Sequence, residues 1–156
     1  AVGKFVIAHP LGPLEKPGLT SYLARSWLAD EEAVVEQPQL VRDFVPVDVL
    51  AEAYASFAAR LVRERRSARA APGLYAEATA SFVERFARAM RERLDRPCRW
   101  RPNPSPPPTR EPAVRCNPDP LRALVPGWSE EGFWDGLAAW YRSPSMFVLP
   151  RVLPTF

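Results

Sequence analysis

The chain has 156 residues, of which 47% are hydrophobic and 25% are charged, and its formal net charge at pH 7 is +3. These values are ordinary for one folded domain that is large enough to bury a core, and they argue against a disordered chain. No uncharged apolar run approaches the roughly 18 residues that cross a bilayer, and no signal peptide opens the sequence. We therefore expect a protein with no membrane span and a cytoplasmic location, a location that would be unknown if the chain is a processed product.

The N-terminal part predicts a short extended segment followed by a helix. Residues 4–8 (KFVIA) are apolar and partly β-branched, which is typical of a short strand or a buried extended arm. His9, the only histidine, follows beside a proline. A polar group satisfied at a turn is the simpler interpretation of His9, and a general base or a pH switch is the functional alternative. A helix is expected in two pieces over about 20–36, with Thr20 or Ser21 as its N-cap.

The middle of the chain predicts two long amphipathic helices. Asp48 is a good N-cap, and after it apolar residues recur in adjacent pairs four positions apart, which keeps one face of a helix apolar. Pro72 and Gly73 form a turn signal, after which a second helical pattern follows. Two helices over about 48–69 and 74–96, joined by a short loop, pack most simply as an antiparallel αα-hairpin.

Arginine is concentrated between residues 60 and 101, where twelve arginines occur with five acidic residues. A solvated helix face is the simplest interpretation, because arginines near helix C-termini and i,i+4 pairs with glutamate both stabilise helices. An acidic protein partner is the second interpretation and a nucleic acid is the third, since the guanidinium fork pairs with carboxylates and with phosphates. The arginines assigned to partner binding are Arg63, Arg66, Arg88 and Arg91.

Residues 97–120 are rich in proline. Because proline removes an amide donor and biases the preceding residue to extended geometry, this segment is expected to be a polyproline-like surface connection, and neither a helix nor a central strand. Cys98 and Cys116 lie near its two ends and are a candidate disulfide, although two thiols in a reducing cytoplasm are the favoured alternative. Neither cysteine lies in a C-x-x-C or Cys/His pattern, so no zinc site is expected.

The last helix is expected over about 129–142 and contains the densest aromatic stripe of the chain. Ser129 is its N-cap, and the two glutamates that follow suit the positive end of the helix dipole. A core contact is the simpler interpretation of the stripe, and a partner-binding face is the alternative, because exposed Trp and Tyr are typical of interaction hot spots. The residues assigned to partner binding here are Trp128, Trp134, Trp140 and Tyr141.

Residues 145–156 (SMFVLPRVLPTF) end the sequence with an apolar stretch interrupted by prolines. Termini are usually polar and frayed, so an apolar one has to be covered by this protein, for example through pairing with residues 4–8, or by another chain. Phe147 is therefore added to the partner-binding residues. A protein partner or a homo-oligomer is expected, and a nucleic acid is the rival partner.

The sequence shows no pattern of known catalytic chemistry. It has no glycine-rich phosphate loop, no H-E-x-x-H, no G-x-S-x-G and no carboxylate–histidine cluster. The prediction is a mainly α protein of one helical domain, 1–156, in which short helices flank the αα-hairpin, 97–120 is a proline-rich crossover and the termini are short and extended.

Its predicted function is that of a non-catalytic helical adaptor or assembly subunit, with no cofactor, no metal and no catalytic residue. RNA binding through the arginine-rich segment is the main alternative. An enzyme whose site is assembled only in a complex is a third, weaker one.

Overall fold

The structure, a computed structural model, describes residues 1–14 and 18–144, in which helices alternate with short strands. The helices are α1 (Leu19–Leu28), α2 (Val47–Glu64), α3 (Thr79–Leu94) and α4 (Glu130–Arg142), with a 3₁₀ helix at Leu121–Ala123. The strands are β1 (Gly3–Phe5), β2 (His9–Leu11), β3 (Ala33–Val35), β4 (Val41–Pro46), β5 (Ala68–Ala70), β6 (Pro72–Gly73), β7 (Ala76–Ala78), β8 (Trp100–Pro102), β9 (Val114–Arg115) and β10 (Asp119–Pro120). The fold is mixed α/β, and the expectation of a mainly α protein is wrong.

Strand β4 is the centre of the largest sheet in the described part of the chain. Its first residues pair antiparallel with β7, where Arg42 lies opposite Glu77, and parallel with β9, where Arg42 lies opposite Arg115. Its last residues pair parallel with β2, where His9 lies opposite Phe44. The other strands form parallel pairs, β1 with β5, β3 with β8 and β6 with β10. Parallel pairs need crossover connections, so these strands join segments that are distant in sequence.

The predicted αα-hairpin is wrong, because α2 and α3 pack in different parts of the core. The buried face of α2 joins a smaller apolar cluster that contains Val45 and Leu121. The buried face of α3 joins the larger cluster, which contains Trp27 and Tyr141. Residues 65–78 between the helices are more than a loop, since they form β5, β6 and β7 and pair with β1, β10 and β4.

Two further segments depart from the expectations, because they pair with each other. The helix expected over 20–36 ends at Leu28, Asp30 adopts a left-handed conformation with φ of 58°, and the next residues form β3. The proline-rich segment 97–120 contributes β8, which pairs with β3, and also β9 and β10. That segment is therefore part of the sheets as well as a connection. Trp27 Nε1 donates a hydrogen bond to the Arg99 carbonyl at 2.9 Å and ties α1 to this segment.

Aromatic rings occupy the middle of the larger cluster. Phe44 stacks on Phe82 with the ring centroids 3.8 Å apart, and Phe82 stacks on Phe86 at 5.8 Å. Phe86 in turn contacts Trp27 and Trp134. Burial of such rings is a large favourable contribution to folding. It also holds one face of β4 in a fixed position through Phe44.

Helix α4 begins where the N-cap signal places it. The Ser129 side chain accepts a hydrogen bond from the Gly132 amide at 3.3 Å, so Ser129 is the cap of a helix that runs to Arg142. The first turn contains Glu130 and Glu131, whose charges suit the positive end of the helix dipole.

The predictions for the two ends of the chain can be compared with the structure only in part. The extended segment expected at 4–8 is present as β1, at residues 3–5, and pairs with β5. Its proposed pairing with 145–156 lies outside the described residues, and so does Phe147. None of the described helices has the length and apolar character that a bilayer crossing requires. That residues 1–156 form one domain stays a prediction.

Candidate ligand-binding cleft

A cleft of about 460 Å³ opens beside β4. It is lined by Arg42 and Phe44 of β4, by His9 of β2 and by Leu19 and Tyr22 of α1. The pairing of β2 with β4 places His9 against Phe44, with ring centroids 5.3 Å apart. The cleft thus combines apolar and aromatic side chains with one arginine and one histidine, the mixture that small-molecule sites commonly show.

The alternation of side chains along β4 assigns its residues to two faces. Arg42 and Phe44 line the cleft. Asp43 and Val45 alternate with them, and Val45 packs in the smaller apolar cluster with α2. We call these the cleft face and the closed face of β4. Both carry a buried charge, since Arg42 is 4% exposed and Asp43 is 1% exposed.

Arg42 on the cleft face has three hydrogen-bond partners. Its Nη1 donates to the carbonyl oxygens of Val41 at 2.8 Å and Pro112 at 3.0 Å. Its Nη2 donates to Oε2 of Glu111 at 2.6 Å, and the Glu111 side chain is 64% exposed. A buried guanidinium requires such partners because its transfer out of water is costly. Two of the three are fixed main-chain oxygens, and the third is a carboxylate that reaches in from the surface.

Residues 103–113 cross the cleft from β3 to β4, and we call them the strap. At one end the Asn103 side-chain amide donates to Glu36 Oε2 at 2.6 Å. In the middle Gln37 Nε2 donates to the Pro107 carbonyl at 2.6 Å. At the other end Glu111 bonds to Arg42. The strap therefore covers the cleft through a few polar contacts, and its residues Thr109 and Glu111 belong to the lining.

His9 is held in an environment that disfavours its charged form. Its partial burial, followed by the nearby charges of Arg42 and Arg115, lowers the pKa of His9 below the ordinary histidine value, against the opposite influence of Glu111. His9 is therefore mainly the neutral imidazole near pH 7, which offers one donor and one acceptor to a ligand.

Asp43 on the closed face is satisfied by main-chain donors. Its Oδ1 accepts the amide hydrogens of Leu74 at 2.8 Å and Tyr75 at 2.9 Å, and its Oδ2 accepts that of Asn117 at 3.2 Å. The site leaves no room beside Gly73, where a Cβ would lie 2.1 Å from Asp43 Oδ2. Asp43 thus joins three segments of the fold and has no access to the cleft.

The aromatic residues predicted to bind a partner lie mostly in the core. Trp134 is 2% exposed and Tyr141 is 1% exposed, and both belong to the larger apolar cluster. Trp128 and Trp140 are partly buried against it. Trp128 Nε1 also donates to Asp48 Oδ2 at 3.2 Å. This placement agrees with the core contact that was the simpler interpretation, and a partner-binding role for the four residues stays a prediction.

The arginines predicted to bind a partner lie on two helices that pack in different clusters. Arg63 and Arg66 are at the end of α2 and just beyond it, and Arg88 and Arg91 are on α3; all four are exposed. Arg63 forms an ion pair with Glu64 at 3.5 Å, and Arg91 Nε donates to the Pro97 carbonyl at 3.3 Å. Their partner-binding role also stays a prediction.

Cys98 and Cys116, the candidate disulfide, are free thiols in the structure. Cys98 is buried, and burial raises its pKa to about 11, against the opposing influence of Arg91. Burial likewise raises the pKa of Cys116. Neither thiol has the lowered pKa of a nucleophile. Among the described residues no group of three His, Cys, Asp or Glu side chains could hold a metal ion.

The sequence contains one signal for the cleft. Arg42 and Asp43 interrupt the apolar run from Leu40 to Val47, and two adjacent charges inside such a run have to be buried with partners. That signal indicates a special position without showing which charge faces a ligand. Glu111 had no local signal, and nothing in the sequence connected His9 with Arg42, because only the fold brings these residues together.

No family model and no curated protein matches the chain. Solved structures do. UDP-glucose-4-epimerase from Stenotrophomonas maltophila, with bound NAD and formylated UDP-arabinopyranose, matches with a TM-score of 0.63 and 16% identity, over 90% of this chain and 47% of that chain. UDP-N-acetylglucosamine 4-epimerase from Methanobrevibacter ruminantium, in complex with UDP-N-acetylmuramic acid, has a TM-score of 0.61 and 13% identity, over 89% and 45%. MoeE5, in complex with UDP-glucose and NAD, has a TM-score of 0.58 and 20% identity, over 91% and 47%.

These likenesses show the fold. The chain shares the fold of part of each of these structures, and it spans about half the length of the structures that it matches. They overturn the predicted function of a non-catalytic helical adaptor or assembly subunit, whose proposed binding surface included a helical hairpin that the fold does not contain. The expectation that the protein is not an enzyme is corrected with it, since this is a fold found in enzymes.

Proposed function

We propose that this chain forms the sugar-nucleotide-binding part of an epimerase-type enzyme, with a UDP-sugar as its ligand. The observation that carries the proposal is the buried guanidinium of Arg42 in a cleft of a fold whose solved neighbours hold UDP-sugars. A diphosphate is a strong partner for such a group, because arginine binds phosphate oxygens bidentately and with charge assistance.

The remaining lining suits the other parts of such a ligand. The rings of Tyr22 and Phe44 and the side chain of Leu40 provide apolar surface for a base or a sugar ring. Tyr22 is held in place because its hydroxyl oxygen accepts the Val34 amide hydrogen at 2.9 Å. Neutral His9, with Gln37 and Thr79, offers hydrogen bonds to hydroxyl groups. The cleft volume is within the range of ordinary ligand sites.

The proposal assigns the sugar nucleotide, and not NAD, to these residues. A dinucleotide site of this kind uses a G-x-G-x-x-G turn between a strand and a helix, so that main-chain atoms can approach the pyrophosphate. None of the seven glycines in the sequence belongs to such a pattern. These residues do not fit NAD, and we derive no step of a reaction through it. The epimerase reaction of the whole enzyme is part of the proposal.

Other predictions remain untested. A protein partner or a second copy stays a prediction, and so does a nucleic-acid partner. A cytoplasmic location also stays one.

Isothermal titration calorimetry of the purified chain tests the proposed ligand. UDP and UDP-glucose should bind, and uridine, which has the same base and ribose without the diphosphate, should bind at least tenfold more weakly, because hydrogen bonds to a charged group contribute about 1.5–3 kcal/mol. Equal binding of UDP and uridine, or no binding of UDP at millimolar concentration, would contradict the proposal.

A further inference from the structure

We infer that the strap is a latch on the cleft, in which the Glu111 carboxylate occupies the place of a ligand's anionic group on Arg42 and is displaced when that group binds. The inference rests on the proposed function, since it concerns the regulation of the same cleft. It assigns to Glu111 a role as competitor of the ligand.

Glu111 is the partner of Arg42 that a ligand can replace most readily. Of the three partners of Arg42 only Glu111 is a side chain, and that side chain is 64% exposed. The carbonyls of Val41 and Pro112 belong to the main chain beside β4 and β9, so they keep Arg42 in position when Glu111 leaves. A planar carboxylate and a tetrahedral phosphate both present negatively charged oxygen acceptors to a guanidinium. A phosphate oxygen of the ligand can therefore replace the Glu111 carboxylate at Arg42 Nη2.

The Arg42–Glu111 ion pair contributes little to the free energy of the closed strap. An ion pair in which one partner is largely exposed is screened by water, and such pairs typically contribute about 0.2–1 kcal/mol. A doubly charged diphosphate that gains Arg42 can offset this loss. The latch is thus strong enough to favour the closed strap in the free protein and weak enough to open.

The strap is held differently at its two ends and in its middle. At its ends the Asn103 amide donates to the Val35 carbonyl at 2.9 Å, and the Ala113 carbonyl accepts from the Val41 amide at 2.8 Å. Between these ends the strap is stiffened by prolines and tied by side chains, through the hydrogen bond from Gln37 to Pro107 and the ion pair of Glu111 with Arg42. Displacement of Glu111 therefore frees the middle of the strap over the cleft while both ends stay attached.

The test compares Glu111→Gln with Glu36→Gln. Both substitutions remove one negative charge from the lining, but only the first removes the carboxylate from Arg42, and a glutamine at 36 can still accept from Asn103. Titration of UDP should give binding about two- to fivefold tighter for Glu111→Gln than for the unchanged protein, the fold-change that the ion-pair range implies, and a smaller gain for Glu36→Gln.

A second measurement follows the strap directly. Arg110 is the only lysine or arginine in the strap, so the rate of tryptic cleavage after it reports strap opening. We expect pyrophosphate and UDP to accelerate that cleavage in the unchanged protein, and Glu111→Gln to be cleaved quickly without any ligand. Cleavage after Arg66, which is exposed just beyond α2 and lies outside the strap, provides the internal reference.

The outcomes separate the two proposals. If UDP binds the unchanged protein but binds the Glu111→Gln variant more weakly, Glu111 is a ligand contact. The latch is then wrong while the proposed function stands. If pyrophosphate opens the strap but UDP does not bind more tightly than pyrophosphate, the latch stands and the UDP-sugar assignment fails. If neither anion binds or alters cleavage at Arg110, both proposals fail.

Discussion

Arg42 and Asp43 are adjacent on β4, both are charged and both are buried, yet their partners differ in kind. Asp43 is bound by three amide hydrogens from two other segments of the main chain. Arg42 is bound in part by Glu111, a side chain that is 64% exposed and can be exchanged. The comparison shows how one strand can serve two purposes. A buried charge with main-chain partners holds the fold together, and one with an exchangeable partner remains available to a ligand.

Removal of the Asp43 carboxylate should have the largest effect on stability. Asp43→Ala leaves the amide hydrogens of Leu74, Tyr75 and Asn117 without an acceptor, and each unsatisfied buried donor costs roughly 1–3 kcal/mol. We expect the free energy of unfolding, measured by urea denaturation, to fall by about 4 kcal/mol. Asp43→Asn keeps one carbonyl acceptor and should lose about half as much. An Asp43→Ala protein as stable as the unchanged one would remove the distinction between the two faces.

A methyl group at Gly73 tests how tightly the closed face is packed. The added Cβ would lie 2.1 Å from Asp43 Oδ2 and 2.5 Å from the Asn117 carbonyl oxygen, so the main chain has to shift. Gly73→Ala should lower the free energy of unfolding by about 2 kcal/mol. Gly136→Ala is the matched control, because nothing lies within 4 Å of its added Cβ and alanine favours the α4 helix. Equal stability of the two variants would contradict the packing described for Gly73.

Substitution of Arg42, on the cleft face, should lower the free energy of unfolding less than Asp43→Ala does. Arg42→Gln leaves the carbonyls of Val41 and Pro112 with one shorter amide group in place of the guanidinium, whereas Glu111 can turn to water. We expect a loss of about 1 kcal/mol in the free energy of unfolding. A loss as large as that of Asp43→Ala would mean that Arg42 also holds the fold together.

The smallest effect should come from pH through His9. Its lowered pKa means that the unfolded chain binds the proton more readily than the folded one, so stability is complete above the ordinary pKa of about 6.5 and decreases as pH falls below it. Urea midpoints at pH 8 and pH 5.5 should differ more for the unchanged protein than for His9→Gln. The same difference in both proteins would show that the burial of His9 and its nearby arginines do not make folding depend on pH.

The helices were located approximately from the sequence because each one has a long apolar period, although only α4 begins at its predicted N-cap. Ser129 and the aromatic repeat located α4 correctly, and the apolar pairs after Asp48 located α2. The strands were not accessible for the opposite reason. A strand such as β3 or β8 has three residues, which is too short to show alternation, and its partner lies elsewhere in the chain. Without the strands, two consecutive helices looked like a hairpin.

The candidate cleft was even less predictable, since its residues come together only in the tertiary structure. His9, Arg42 and Glu111 lie on β2, on β4 and on the strap. The aromatic stripe of α4 attracted the functional prediction because a helix face of Trp and Tyr resembles a binding surface. The structure buries Trp134 and Tyr141 in the core instead. A stripe at helical spacing does not say which side of a helix faces the solvent.

Whether Arg42 binds the diphosphate is tested most directly by the affinity of Arg42→Gln for UDP and for uridine, measured by calorimetry beside the unchanged protein. The variant should bind UDP roughly 10- to 100-fold more weakly and bind uridine as the unchanged protein does. If Arg42→Gln remains folded and binds UDP with unchanged affinity, the cleft face of β4 is not the phosphate site.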